Sequence, residues 1–138
     1  LFSEMFGDIF TPVNRMIELN AALRSRGVPT YIFSNTNPLA VGHIRRRYPF
    51  FRDFHGHVLS CDHGAMKPDA RLYEVVENVT GRKGAELLYI DDRAENVEAG
   101  RARGWRSILH RNPEMTWKEV AETGLLKSLN GDASEKEF

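Results

Sequence analysis

Leu87-Leu88-Tyr89-Ile90-Asp91-Asp92 is the stretch on which the fold turns. An apolar run from Leu87 to Ile90 is too short for a helix. Its unbroken hydrophobicity, without polar alternation, is that of a strand buried on both faces of a parallel sheet. It ends in two adjacent acids. Neighbouring carboxylates repel, and the pair is costly unless a cation or hydrogen-bond donors offset it. A hard cation such as Mg²⁺ takes oxygen ligands, commonly one or two carboxylates with phosphate and water. Asp91-Asp92 is therefore the strongest single pointer to chemistry in the chain. The competing reading is an N-cap pair for the next helix, where Asp is favoured.

Outward from that stretch, strands alternate with helices. Val28–Phe33 is short and rich in β-formers, with Pro29 confined to its start. It ends at Ser34-Asn35-Thr36. Gly56–Ser60 is a weaker strand, and Trp105–Leu109 a further one. The pattern places strands at about 28–33, 57–60, 87–91 and 105–109. Thr11-Pro12 and Gly27 bracket a helix whose stripe is Val13, Met16, Ile17, Leu19 and Leu23. Asn37-Pro38 starts another, running to about Tyr48 before Pro49. Leu72, Val75, Val76 and Val79 recur at i, i+3, i+4, i+7, an amphipathic helix ended by Gly81. A helix from Ala94 to Arg103 ends at Gly104, and Thr116 with Glu119 forms a capping box opening the last helix, which Gly124 ends. This is an α/β pattern with a mostly parallel, Rossmann-like sheet and flanking helices. In such sheets ligands bind beyond the carboxyl ends of the strands, where Ser34 and Asp91-Asp92 both lie.

A chain of 138 residues suffices for one domain with a real core. Its 19 basic and 19 acidic residues balance, so no electrostatic footprint for nucleic acid or an anionic membrane is present. No apolar run approaches the roughly 20 residues that span a bilayer, and the N-terminus lacks the pattern of a signal peptide. The single cysteine, Cys61, excludes an internal disulfide and fits a reducing, cytoplasmic setting. From Asn130 onward the tail is polar and is expected to be disordered.

Three polar signals in order, Ser34-Asn35-Thr36, Lys67-Pro68-Asp69 and Asp91-Asp92, resemble motifs II, III and IV of the haloacid dehalogenase-like hydrolases. The surrounding residues match as well. Tyr31 to Asn37, Met66 to Tyr73, and Tyr89 to Val97 are similar to the subgroup with a small helical cap between motifs I and II. The resemblance covers roughly residues 12–112. It implies a Mg²⁺-dependent phosphatase of small phosphorylated metabolites, since the dehalogenases of the fold work without magnesium and lack the paired acids. It implies further that Ser34, Asn35 and Lys67 bind phosphate, Lys67 neutralising charge in a phosphoryl transition state. Ser34 and Lys67 would be the catalytic residues present. Asp92 would be the direct metal ligand with Asp91 supporting it, and Asn96 stands where some relatives carry another acid.

The resemblance leaves one element without a match. Motif I, an Asp-x-Asp pair ending an apolar strand near the start, supplies the family's nucleophile and its leaving-group acid. No aspartate here fits it. The expectation is an incomplete core that lacks its central strand, inactive alone, with residues 1–11 as the end of the cap, 12–129 as the core and 130–138 as the tail. A chain that does not begin with Met fits a start within a longer protein. A missing N-terminal segment or another chain would complete the sheet between the strands ending at Ser34 and Asp91, in a space about 9–10 Å wide. The alternative is a non-catalytic phosphate-binding or protein-interaction module. Other signals are weaker: His55, His57, Cys61 and His63 cluster in sequence and suggest zinc only distantly, and Arg45-Arg46-Arg47 reads as a solvated helix face.

Overall fold

Residue type explains where each strand starts and stops. The computed structural model describes residues 2–3, 14–47 and 53–126. Helix α1, Asn14–Ser25, closes on Gly27 in the left-handed region (φ 79), with the Val28 N–H returning to the Leu23 carbonyl at 3.0 Å. That return, and a proline at 29 with no N–H to donate, delay the strand expected from residue 28 until Tyr31. Strand β2 is Tyr31–Ser34, and α2 is Pro38–Arg47, with the Asn37 side chain accepting the Ala40 N–H at its start.

Strand β3, Gly56–Leu59, stops one residue earlier than expected because Ser60 opens the short helix α3, Ser60–His63. Helix α4, Ala70–Thr80, is capped by Asp69 and ends at Gly81 (φ 69), and strand β4 is Leu88–Asp91. Helix α5, Ala94–Ala102, leads to strand β5, Arg106–Leu109. Helix α6 is Pro113–Glu122. Its start corrects the expected capping box: Asn112 is the N-cap, accepting the Met115 N–H at 2.9 Å, and Pro113 occupies the first turn. Thr116 instead lies within the helix, buried, with its hydroxyl 2.6 Å from His110 Nδ1.

The sheet order is β3-β2-β1-β4-β5, every pairing parallel, where β1 is Phe2–Ser3. As expected, β2 and β4 are not paired with each other. The place between them is corrected, however. It holds neither a gap nor another chain's strand but Phe2–Ser3 of this chain, in register Phe2↔Ile32, Ser3↔Phe33 and Phe2↔Ile90. Two apolar strands leave backbone donors and acceptors facing that slot, and an extended segment satisfies them. These two residues fall in the segment read as the end of the cap and bring no carboxylate to the sheet. The rest of residues 1–11 and the tail 130–138 lie outside the described residues.

Alternation along β4 divides the core into two layers. Leu88 and Ile90 meet Met16, Leu19 and Leu23 of α1 and Val120 of α6. Leu87 and Tyr89 face the other way, into Phe33, Val58, Leu72, Tyr73, Val76 and Trp105. Helix α5 approaches this second face closely. A Cβ on Gly100 would stand 2.6 Å from Tyr89 Cδ2 and 2.8 Å from Ser107 Oγ, so only glycine fits. No helix among the described residues is long and apolar enough to cross a membrane.

Candidate functional site

The carboxyl ends of β2 and β4 bring the sequence signals together. Ser34 closes β2 and is buried, and Asp91 closes β4 and is buried. Lys67 arrives from the loop before α4, and its Nζ lies 2.9 Å from Asp91 Oδ2 and 2.9 Å from the Phe33 carbonyl. Side-chain exposure at this pair is only 4% and 2%. An ammonium and a carboxylate so removed from water persist only as partners. Lys67 Nζ also stands 4.9 Å from the centroid of the Phe33 ring.

Asn35 holds the lysine's backbone from both sides. Its Oδ1 accepts the Lys67 N–H at 2.7 Å, and its Nδ2 donates to the Lys67 carbonyl at 3.1 Å. The Asn35 side chain is thus turned to the protein. A neighbouring tie joins β3 to β2: Ser60 Oγ accepts the Thr36 N–H at 2.8 Å and donates to the Thr36 carbonyl at 3.0 Å.

Asp91 sits at the centre of a hydrogen-bonded ring. Beyond Lys67, its Oδ2 accepts the Tyr89 hydroxyl at 2.6 Å and Asn96 Nδ2 at 3.1 Å, while Oδ1 accepts the Arg93 N–H at 3.0 Å. The Tyr73 hydroxyl lies 3.2 Å from that of Tyr89 and donates to the Asn96 carbonyl at 2.8 Å, closing the circuit. Burial alone would raise the Asp91 carboxyl. The Lys67 charge, then the hydrogen bonds from Tyr89, Lys67 and the Arg93 N–H, outweigh it and bring the pKa down to about 2. Burial pushes both tyrosine hydroxyls above their ordinary value, so they stay neutral donors.

Asp92 is exposed at the rim. Its carboxyl is raised, first by partial desolvation and then by its hydrogen bond to Asp91 and the Asp91 charge. A cation at this rim would relieve that opposition. The donor chemistry fits a hard divalent ion, with one exposed carboxylate and one buried carboxylate beside it. Among the described residues no group of three or more His, Cys, Asp or Glu side chains is placed to hold a metal. The histidines considered for zinc therefore do not assemble, and His55 Nδ1 instead faces the Thr30 N–H at 3.3 Å. Sequence reading missed the roles of Tyr89 and Tyr73. Tyr89 lies two residues before Asp91 on a strand, so period-two alternation already put both on one face.

Comparison with known proteins bears on the family and the fold. The family model of haloacid dehalogenase-like hydrolases matches residues 4–104. The chain is 32% identical over 93 residues to the sesquiterpene phosphatase AstK of Aspergillus oryzae, covering 67% of this chain and 47% of that protein. It is 31% identical over 87 residues to the phosphatase MT3486 of Mycobacterium tuberculosis, covering 62% and 40%. The chain thus spans less than half the length of these curated relatives. Among solved structures, an uncharacterized Corynebacterium glutamicum protein superposes with a TM-score of 0.75 at 20% identity, covering 91% of this chain and 93% of that one. A HAD family enzyme of Bacteroides thetaiotaomicron, an aspartate-to-alanine mutant in complex with magnesium and inorganic phosphate, superposes with a TM-score of 0.60 at 20% identity, covering 70% and 53%. A parallel sheet with its polar signals converging at one end, and a family model matched across most of its length, place this chain in the haloacid dehalogenase-like hydrolase family.

Proposed function

We propose that this chain carries the phosphate- and cation-binding part of a Mg²⁺-dependent phosphatase acting on small phosphorylated metabolites in the cytoplasm. The observation that carries the reading is the buried Lys67–Asp91 pair, 2.9 Å apart, at the shared end of β2 and β4 with exposed Asp92 next to it. Two phosphatase-named relatives and the magnesium and phosphate of the Bacteroides enzyme support it. Ser34 and the Asn35 backbone N–H receive the phosphate oxygens, the Thr36 N–H being held by Ser60, and Lys67 supplies positive charge to them. Asp92 would hold the metal directly and Asp91 would support it. When bound, the ion neutralises phosphate charge. Transfer to an aspartate nucleophile, followed by water, is the chemistry that the family resemblance implies, and no Asp-x-Asp pair of the motif I kind occurs in this sequence to supply it.

The test is titration of the 138-residue chain with inorganic phosphate, followed by ³¹P NMR, with Mg²⁺ and with EDTA. Binding that weakens in EDTA and in Lys67→Ala is the expected result. Equal binding in chelator rejects the metal role of Asp92. The second reading, a module that binds phosphate without turnover, applies to the chain alone. Phosphate-ester hydrolysis by the purified chain, lost in Asp92→Ala, would reject it.

A further inference from the structure

Beyond the carboxyl ends of β2 and β3, next to the phosphate cradle, lies an open depression of about 680 Å³. It shares Lys67 with the cradle, so the two adjoin at that residue. Ala65, Met66 and Pro68 line it, together with Ser60 and Cys61. Met66 is 61% exposed, one of the few large apolar side chains left open to solvent. The rim offers little net charge. The Arg71 guanidinium is engaged by Asp69, NH2 to Oδ2 at 2.9 Å and Nε to Oδ2 at 3.2 Å, and that contact holds the Asp69 carboxyl below its usual range. A second phosphate would find no uncommitted cation in this pair. An apolar group would find a flexible thioether and a proline ring.

We propose that this depression is a subsite for the uncharged, apolar ester group of a phosphorylated substrate, with Met66 as its principal contact. The inference rests on the phosphate-cradle reading and adds the chemical class of the group attached to the phosphate. An ester whose phosphate sits at Lys67 directs its carbon chain along the shared wall toward Met66. Apolar area leaving water there supplies affinity that a methyl ester cannot gain.

The experiment titrates the full chain with methyl phosphate and with hexyl phosphate, two monoesters of matched charge. Calorimetry gives the affinities, and NMR of ¹³C-methyl-labelled methionine follows Met66. Hexyl phosphate should bind about tenfold more tightly than methyl phosphate and shift the Met66 methyl resonance. The ratio should fall to within about twofold in Met66→Gln and recover in Met66→Leu. Met66 is exposed, so neither variant removes a core contact. Equal affinity for the two esters overturns the subsite. So does a hexyl preference that leaves the Met66 resonance and the Gln variant unaffected. Failure of methyl phosphate to bind at all overturns the cradle reading itself, and the subsite with it.

Discussion

Tyr89 and Asp91 point to the same side of β4, and the Tyr89 hydroxyl donates to Asp91 Oδ2 at 2.6 Å within a shell of aromatic rings. Tyr89→Phe removes only the donor. The carboxylate keeps Lys67 and Asn96, but Tyr73 loses a partner too. Urea unfolding should show a loss of about 1.5–3 kcal/mol, the range for a hydrogen bond to a charged group. A loss below about 0.5 kcal/mol would mean that the hydroxyl does not hold the acid in place.

The Lys67–Asp91 pair should respond unequally to loss of either partner. Asp91→Asn leaves an ammonium buried without its counter-charge and should destabilise by about 3–5 kcal/mol. Lys67→Met leaves Asp91 with donors from Tyr89, Asn96 and the Arg93 N–H, so its cost should be smaller. Denaturation of both variants under one buffer decides the order. The reverse ranking would refute the view that the ring sustains the acid.

Glu77 provides a pH dependence away from the site. The Arg103 guanidinium, at 2.9 and 2.6 Å, lowers its carboxyl most; burial opposes this, and the Trp105 indole N–H at 2.9 Å adds to the lowering. A folded-state value below the unfolded one means that stability is full above the ordinary glutamate value of 4.5 and is lost as pH falls through the folded value. Glu77→Gln should lower stability at pH 7 by about 1 kcal/mol and flatten the acid limb of the curve. Trp105 fluorescence during acid titration is the readout, and an unchanged acid limb in the variant would contradict the assignment.

Gly100→Ala tests the packing of α5 on the sheet. Its new Cβ would meet the buried Tyr89 ring at 2.6 Å and Ser107 Oγ at 2.8 Å. Thermal unfolding should register about 1–3 kcal/mol of destabilisation. Adding Ser107→Gly should restore only part of it, because the ring contact is the shorter one.

Much of this architecture was legible in the sequence because the signals were local. Short apolar runs marked strands, glycines at 27 and 81 marked helix ends, and strand-end polar residues marked the site. What escaped reading depended on distance in the chain. The strand at Phe2–Ser3 has no periodic signature of its own and follows from the needs of β2 and β4. The expected box at Thr116 gives way to Asn112-Pro113, a better cap lying upstream. Asn35 shows the same limit: its residue type suggests a ligand contact, and its side chain is turned to a residue 32 positions away.

That amide clasp makes position 35 chemically one-sided. The side chain must offer an acceptor to one backbone group and a donor to the other, and asparagine does so from two separate atoms, where a hydroxyl such as that of Ser60 must do both from one. An aspartate there would keep the shape but turn a negative oxygen toward the Lys67 carbonyl. Two loops from distant parts of the chain are fastened by one side chain, so the lysine's backbone is set before any ligand arrives. The entropy of ordering that loop is then spent in folding, leaving less to be lost when an anion binds.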